Sequence, residues 1–206
     1  MKKRMTPSML DDAKRHLRRQ RPSFTALIRK FPDCPLARGR ANLFNALAGS
    51  IVGQQLSVKA AATIRQRVLD ASDTPRLCPR AISGLSEASC REAGLSGAKT
   101  RYLKALASAV NNNEINFRAL AQQDDETVIT TLSALPGIGV WTAQMFLISG
   151  FRRPDIAAPA DVGLQRGMQM LFDLGERPDE ATFLALSAPW RPYRSVASWY
   201  LWRLAG

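Results

Sequence analysis

Two places in this chain combine residue types and spacing that could do chemistry. The first is Asp161. It follows the short apolar stretch Ala157-Ala158-Pro159-Ala160, which the proline keeps from continuing as a helix. It precedes Val162, Leu164 and an apolar pattern that reads as a helix through Leu171. Aspartate is a favoured N-cap, because its carboxylate accepts a hydrogen bond from a backbone N–H of the next turn. The helix dipole and the donated bond both favour the anion. Capping alone accounts for such a residue, and a catalytic carboxylate is the other reading.

The second place is the turn Leu135-Pro136-Gly137-Ile138-Gly139. Leu132 and Leu135 close one helical run; Trp141, Ala143, Met145, Phe146 and Ile148 begin another. Pro136 has no N–H to donate and a fixed φ. Gly137 and Gly139 permit positive φ and close approach of another backbone. A helix starting near Gly139 presents unpaired N–H groups at the positive end of its dipole, which is an anion site. By itself this is either a phosphate grip or a plain αα-hairpin. Asp161 lies twenty residues beyond Trp141, downstream of the turn.

Other reactive types are sparse. His16 is the sole histidine and sits among Arg and Lys in a helix, where it is read as exposed and without a role, so there is no histidine general base elsewhere. Cys34, Cys78 and Cys90 are scattered, with neither a disulfide framework nor zinc spacing, and read as small buried residues. Trp141, Trp190, Tyr193, Trp199, Tyr200 and Trp202 gather in the last third. Helical spacing marks Trp199 and Tyr200 as core. Gln54 and Gln55 suit the tip of a loop.

The elements that must position these residues read as helices almost throughout. Leu10, Ala13 and Leu17 share a face, with Pro7 at a first helical position. Phe24, Leu27, Ile28 and Phe31 form a second stripe; Phe44, Leu47, Ala48, Ile51 and Val52 form a third. Ser57 can cap a helix carrying Ala61, Ile64, Val68 and Leu69. Ser86 and Glu87 start a short helix that Gly94 can end. Tyr102, Leu103, Leu106 and Val110 mark another, stopped at Asn111-Asn112-Asn113. Asp124 can cap the helix leading into the turn. Pro178 opens a helix through Leu186, and a last helix spans about Pro192 to Leu204. Pro75, Pro79, Gly84 and Gly94 mark turns. No window alternates as a strand does, and no repeat or low-complexity linker interrupts the chain.

The 206 residues suit one domain, or one domain in two lobes. Lys plus Arg number 29 against 17 Asp plus Glu, a balance that suits a polyanionic partner. Residues 1–40 hold 12 basic and 3 acidic residues, so this arm supplies +9 of the net +12. Its clusters are Lys2-Lys3-Arg4 and the run at 14–21. They are either a solvated helix face or an electrostatic footprint for nucleic acid. There is no secretory apolar segment near Met1 and no apolar run long enough to span a bilayer.

Taken together, LPGIGVWTA at 135–143 and APADVGLQRG at 158–167 resemble the helix-hairpin-helix DNA glycosylase superfamily. The nearest branch is DNA-3-methyladenine glycosylase II, in its short form without an N-terminal β domain. IVGQQLSVKAA at 51–61, GLSGAKTRYLKALA at 94–107 and PWRPYRSVASWYLW at 189–202 are similar to that branch in the same order. The likeness covers roughly residues 36 to 204.

The resemblance implies an all-α fold of two helical lobes with a cleft between them. It implies a single domain over 1–206, with a basic arm at about 1–35 and the hairpin at about 124–150. It implies a monofunctional glycosylase that cleaves the N-glycosidic bond of alkylated purines (the 3-methyladenine and 7-methylguanine type) in double-stranded DNA, in base excision repair. Asp161 is then catalytic, and Trp141, Trp202 and Met145 line the base pocket; where the family often has an aromatic, Met145 stands here. DNA contacts fall to Gln55, Gln54, Ser57, Gly137, Ile138, Gly139 and Thr142, with Gln55 the first choice to fill the gap left by the extruded base. An alkali cation at the hairpin would be held by the carbonyls of Ser133, Leu135 and Ile138. Bifunctional relatives carry a lysine nucleophile where Trp141 stands, so lyase chemistry by that route is not expected. Three scattered cysteines cannot hold the four-cysteine iron–sulfur cluster of other branches, and no other cofactor is implied. The expected protein is a monomer off the membrane, with the nucleoid in a bacterium or in the nucleus of a eukaryote. The alternatives are a glycosylase for uracil or a mismatched base, a non-catalytic helix-hairpin-helix DNA-binding protein, or a helical interaction domain.

Overall fold

A computed structural model describes residues 4–39 and 42–206. Among these residues there are thirteen α-helices, two 3₁₀ turns and no strand. Their contacts divide into two compact units. Lys2, Lys3 and Arg40 of the basic arm lie outside the described residues.

The first unit runs to Phe146 and contains α3 (Leu43–Gly53), α4 (Val58–Ser72), α5 (Pro79–Gly84), α6 (Glu87–Glu92), α7 (Gly97–Asn111), α8 (Phe117–Leu120), α9 (Asp125–Ser133) and the start of α10 (Val140–Ser149). Nearly every start carries a side-chain cap: Ser57 accepts from Ala60 N at 3.2 Å, Ser86 from Ser89 N at 3.0 Å and Asp124 from Thr127 N at 2.7 Å. Each such cap contributes about 1 kcal/mol. Leu47, Ile51, Leu103, Leu106, Val128 and Leu132 are fully buried, so the apolar stripes of α3, α7 and α9 make the core. Burying each of these side chains contributes ~1.5–3 kcal/mol. The short helix α5, with Pro79 at its first position and Cys78 as cap, departs from the turns expected at Pro79 and Gly84, and α8, capped by Asn116, falls in a stretch that the sequence left unassigned. At six and four residues, neither is long enough to display a period.

The second unit joins the N-terminal segment to residues 147–206. It contains α1 (Pro7–Gln20), α2 (Ser23–Lys30), the end of α10, α11 (Val162–Phe172), α12 (Glu180–Ser187) and α13 (Arg194–Ala205). Leu10, Ala13 and Leu17 of α1 are buried, and Arg15, Arg18 and Arg19 are exposed. The unit closes on an aromatic core: Phe24 meets Trp190 edge-on at 5.3 Å and Tyr200 at 6.4 Å. Tyr200 is fully buried and Trp199 half-buried.

Three expectations are corrected here. Pro178 does not open α12; Asp179 caps it, accepting from Thr182 N at 2.8 Å, and the short carboxylate wins because proline offers no capping acceptor. The last helix begins at Arg194, beyond the cis Arg191–Pro192 bond. His16 is half-buried, its Nε2 lying 2.9 Å from the Pro189 carbonyl and its ring edge-on to Tyr193. It is a packed side chain rather than a free surface one. Of the cysteines, Cys34 and Cys90 are buried and Cys78 half-buried.

Candidate active site

Asp161 caps α11 as its sequence context requires. Its Oδ1 accepts from Leu164 N at 2.7 Å and from the Trp202 indole Nε1 at 2.9 Å. The residue is 8% exposed. Its own N–H donates to Ala158 O at 3.0 Å, and Gln165 Nε2 ties back to Pro159 O at 2.9 Å. The short apolar loop before the helix is thereby pinned. A capping role and a site role meet in one carboxylate, whose position is set from two helices at once.

What brings α13 close enough is a pair of glycines that the sequence reading passed over. A Cβ on Gly163 would stand 3.1 Å from both Asp161 Oδ1 and the Trp202 ring. A Cβ on Gly167 would stand 2.5 Å from the Leu201 carbonyl oxygen, closer than backbone allows. Small residues four apart lie on one face of a helix, so α11 offers α13 a groove. The signal was present in the spacing Gly163-Leu-Gln-Arg-Gly167.

The loop is also anchored at its start. Arg194 grips Asp155 through Nε at 2.7 Å and Nη2 at 3.0 Å, and Arg194 N donates to the same carboxylate at 3.2 Å. Ser195 N donates to Pro154 O at 3.0 Å, and Ile156 N donates to Ser195 Oγ at 2.9 Å. A bidentate arginine–carboxylate pair fixes orientation as well as distance. Asp155 is thus a brace between the Asp161 loop and the start of α13.

In the first unit the hairpin takes the expected form: α9 ends at Ser133, and α10 begins at Val140. The two glycines differ. Gly137 has φ +80°, and a Cβ there would stand 2.1 Å from the Tyr102 ring. Its glycine is demanded from inside, by the backbone and by Tyr102 of α7. A Cβ on Gly139 would meet nothing within 4 Å, so that position opens outward. Ile138 and Thr142 are each 3% exposed, so neither side chain is presented outward. Ile138 N is itself bonded to Leu135 O at 3.2 Å. Val140 and Trp141 are exposed, and Met145 is half-buried.

The 54–57 turn lies between α3 and α4. Gln55 is exposed with φ +57°, an uncommon conformation for a residue with a Cβ, at a cost of ~1–2 kcal/mol. Leu56 and Ser57 beside it are exposed. The Gln54 side chain does not share the exposed tip: its Nε2 donates to Gly137 O at 2.7 Å. From α7, Lys99 Nζ donates to Val52 O at 2.9 Å and Gln54 O at 2.6 Å. Burial pushes the Lys99 ammonium below its usual range. In the sequence Tyr102 marks only a helical stripe and Lys99 carries no reading, although their spacing of three puts both on one face of α7.

A family model described as the HhH-GPD superfamily base excision DNA repair protein matches residues 48–192. The chain belongs to this superfamily. A solved structure of 3-methyladenine DNA glycosylase (Mag1) from Schizosaccharomyces pombe, in complex with abasic DNA, is 27% identical, with a TM-score of 0.81 over 93% of this chain and 95% of that one. A DNA-3-methyladenine glycosidase from Bacillus halodurans is 38% identical, with a TM-score of 0.73 over 81% of this chain and 77% of that one. Among curated relatives, YfjP of Bacillus subtilis (strain 168) is 30% identical over 88% of this chain, which spans 65% of YfjP's length.

Proposed function

We propose that this chain is a monofunctional DNA glycosylase that hydrolyses the N-glycosidic bond of alkylated purines, of the 3-methyladenine and 7-methylguanine type, in duplex DNA. The observation that carries the reading is the Asp161 carboxylate, capped onto α11 and bonded to the Trp202 indole. The hairpin amides and the basic face of α1 hold the phosphate backbone. The target nucleotide leaves the stack at a cost of a few kcal/mol, and Gln55 fills the gap. As the bond to the base breaks, Asp161 stabilises positive charge developing on the sugar, and water adds at the same carbon. The products are free base and an abasic site.

The lesion supplies part of the driving force. An N3- or N7-alkylated purine is cationic and a good leaving group, and indole faces such as those of Trp141 and Trp202 attract a cation. Met145 contributes a softer wall than an aromatic ring and broadens the accepted shapes. Trp141 cannot form a Schiff base, so strand cleavage by a nucleophile at that position is not part of the reaction. An alkali cation held by the Ser133, Leu135 and Ile138 carbonyls would sit in a turn that carries a buried, unpartnered Ser133 Oγ and the Leu135–Ile138 bond. Such an ion would brace the turn against the phosphate. The protein acts as a monomer, at the nucleoid of a bacterium or in the nucleus of a eukaryote. No helix among the described residues is long and apolar enough to cross a membrane.

The test is chromatographic release of free base from methylated DNA, beside uracil-containing DNA as the competing substrate. Release of methylated purines, leaving abasic sites that break only on later alkali treatment, is the expected result. Release of uracil alone, or no release from either, overturns the reading.

A further inference from the structure

Three contacts of the first unit converge on one point. Lys99 Nζ donates to the last carbonyls of α3, Val52 O at 2.9 Å and Gln54 O at 2.6 Å. Gln54 Nε2 crosses to the hairpin carbonyl Gly137 O at 2.7 Å. Tyr102, one turn along α7 from Lys99, fills the space beneath Gly137 that a Cβ would need. Between these anchors stands Gln55, exposed and left-handed at φ +57°. A residue keeps such a backbone only where its surroundings over-determine it, and the surroundings here are Lys99 and Gln54.

We propose that Lys99 and Gln54 are positioning residues that clasp the 54–57 turn to the hairpin, so that the side chain entering the DNA stack and the turn gripping the phosphate are set as one piece. The inference rests on the reading of this chain as a base-extruding glycosylase. Neither residue touches the reacting atoms. Lys99 satisfies the carbonyls of Val52, in the last turn of α3, and of Gln54, its C-cap, and desolvation lowers its basicity there. Gln54 then transmits the turn's position to Gly137. A grip on phosphate that is not in register with the inserting side chain would still bind duplex DNA, but it would hold the extruded state poorly.

The experiment uses the full chain and three variants, Gln54→Leu, Lys99→Met and Lys99→Arg. The probes are undamaged duplex, duplex with one 7-methylguanine, and duplex with 2-aminopurine beside an abasic-site analogue. We expect Gln54→Leu and Lys99→Met to lower single-turnover base release by about ten- to a hundredfold, the range for a reacting group misplaced by roughly an ångström. The rise in 2-aminopurine fluorescence on binding should shrink in both. Affinity for undamaged duplex should fall far less than the rate, because phosphate contacts do not depend on extrusion. Lys99→Arg, which can still donate to both carbonyls, should recover most of the rate. Wild-type release and full fluorescence in Gln54→Leu and Lys99→Met overturn the inference, as does a loss of undamaged-duplex affinity in proportion to rate. If Lys99→Met does not fold, Gln54→Leu alone decides, since its change is confined to a half-buried side chain. Failure of the wild-type chain to release any methylated base counts against the proposed function rather than against the clasp.

Discussion

Leu164 N and Trp202 Nε1 donate to the same oxygen of Asp161, Oδ1, and this helps to separate charge from shape. Asp161→Asn can keep an oxygen for Leu164 N and Trp202 Nε1 while it removes the negative charge and turns the second oxygen into an amide NH2. Base release should fall ~10²–10³-fold, the usual loss for one electrostatic partner of a transition state, while binding to an abasic-site duplex and thermal stability stay near wild type. Near-normal single-turnover excision would remove Asp161 from the catalytic role. Gly163→Ala approaches the same contact from the other side: its new Cβ crowds Oδ1 and the indole at 3.1 Å. It should cost about tenfold in rate through displacement of Trp202, with a smaller effect on melting. Asp155→Asn should do the reverse, lowering the melting temperature because Arg194 keeps its charge and loses half its grip, with a lesser loss of rate.

At the scale of elements, the hairpin glycines give a clean pair. Gly137→Ala must adopt φ +80° and displace the Tyr102 ring, and so should destabilise the protein by several kcal/mol. Gly139→Ala meets nothing inside the protein. Any loss of duplex affinity in Gly139→Ala, with unfolding by denaturant unchanged, therefore reports on what approaches from outside. Equal destabilisation by the two substitutions would contradict this division. The sequence makes the helices legible because caps and apolar stripes are local: Ser57, Ser86, Asp124 and Asp161 each name their own helix start. The hairpin and Asp161 are legible for the same reason. The clasp of Lys99 and Gln54, the Asp155–Arg194 brace and the groove of Gly163 and Gly167 are not, because each depends on a partner 39 or more residues away, or on the closeness of two helices that neither states alone. Short helices such as α5 and α8 escape because fewer than two turns carry no period.

For the whole molecule, charge and burial lead to separate expectations. On the proposed function, exposed Arg15, Arg18 and Arg19 on α1 and Arg29 and Lys30 on α2 would give a duplex a sequence-independent attraction that weakens as salt rises. Neutralising Arg15, Arg18 and Arg19 together should flatten the salt dependence of binding and leave the ranking of excised bases unchanged. Stability, in contrast, should fall at alkaline pH. Burial pushes the Cys34 thiol up from 9.0 to about 11. A folded-state value above the unfolded one gives stability that is complete below pH 9.0 and lost as pH rises through about 11. The loss is on the order of 3 kcal/mol. Burial raises the Tyr200 phenol too, with the same sign, so Cys34→Ala should remove only part of the alkaline slope measured by denaturant unfolding.

The hydrogen bond from Trp202 to Asp161 also makes the proposed catalytic carboxylate visible without substrate. An indole N–H held by a carboxylate oxygen at 2.9 Å resonates well downfield of a solvent-bonded one and exchanges slowly. With only four tryptophans in the chain, its proton can be assigned by a single Trp202→Phe comparison. That proton is a built-in reporter: it should move when a cationic sugar mimic enters beside Asp161, and move upfield in Asp161→Asn, where the acceptor is neutral. Titrating inhibitors against one NMR line would then rank them by what the carboxylate feels rather than by how tightly the DNA is held.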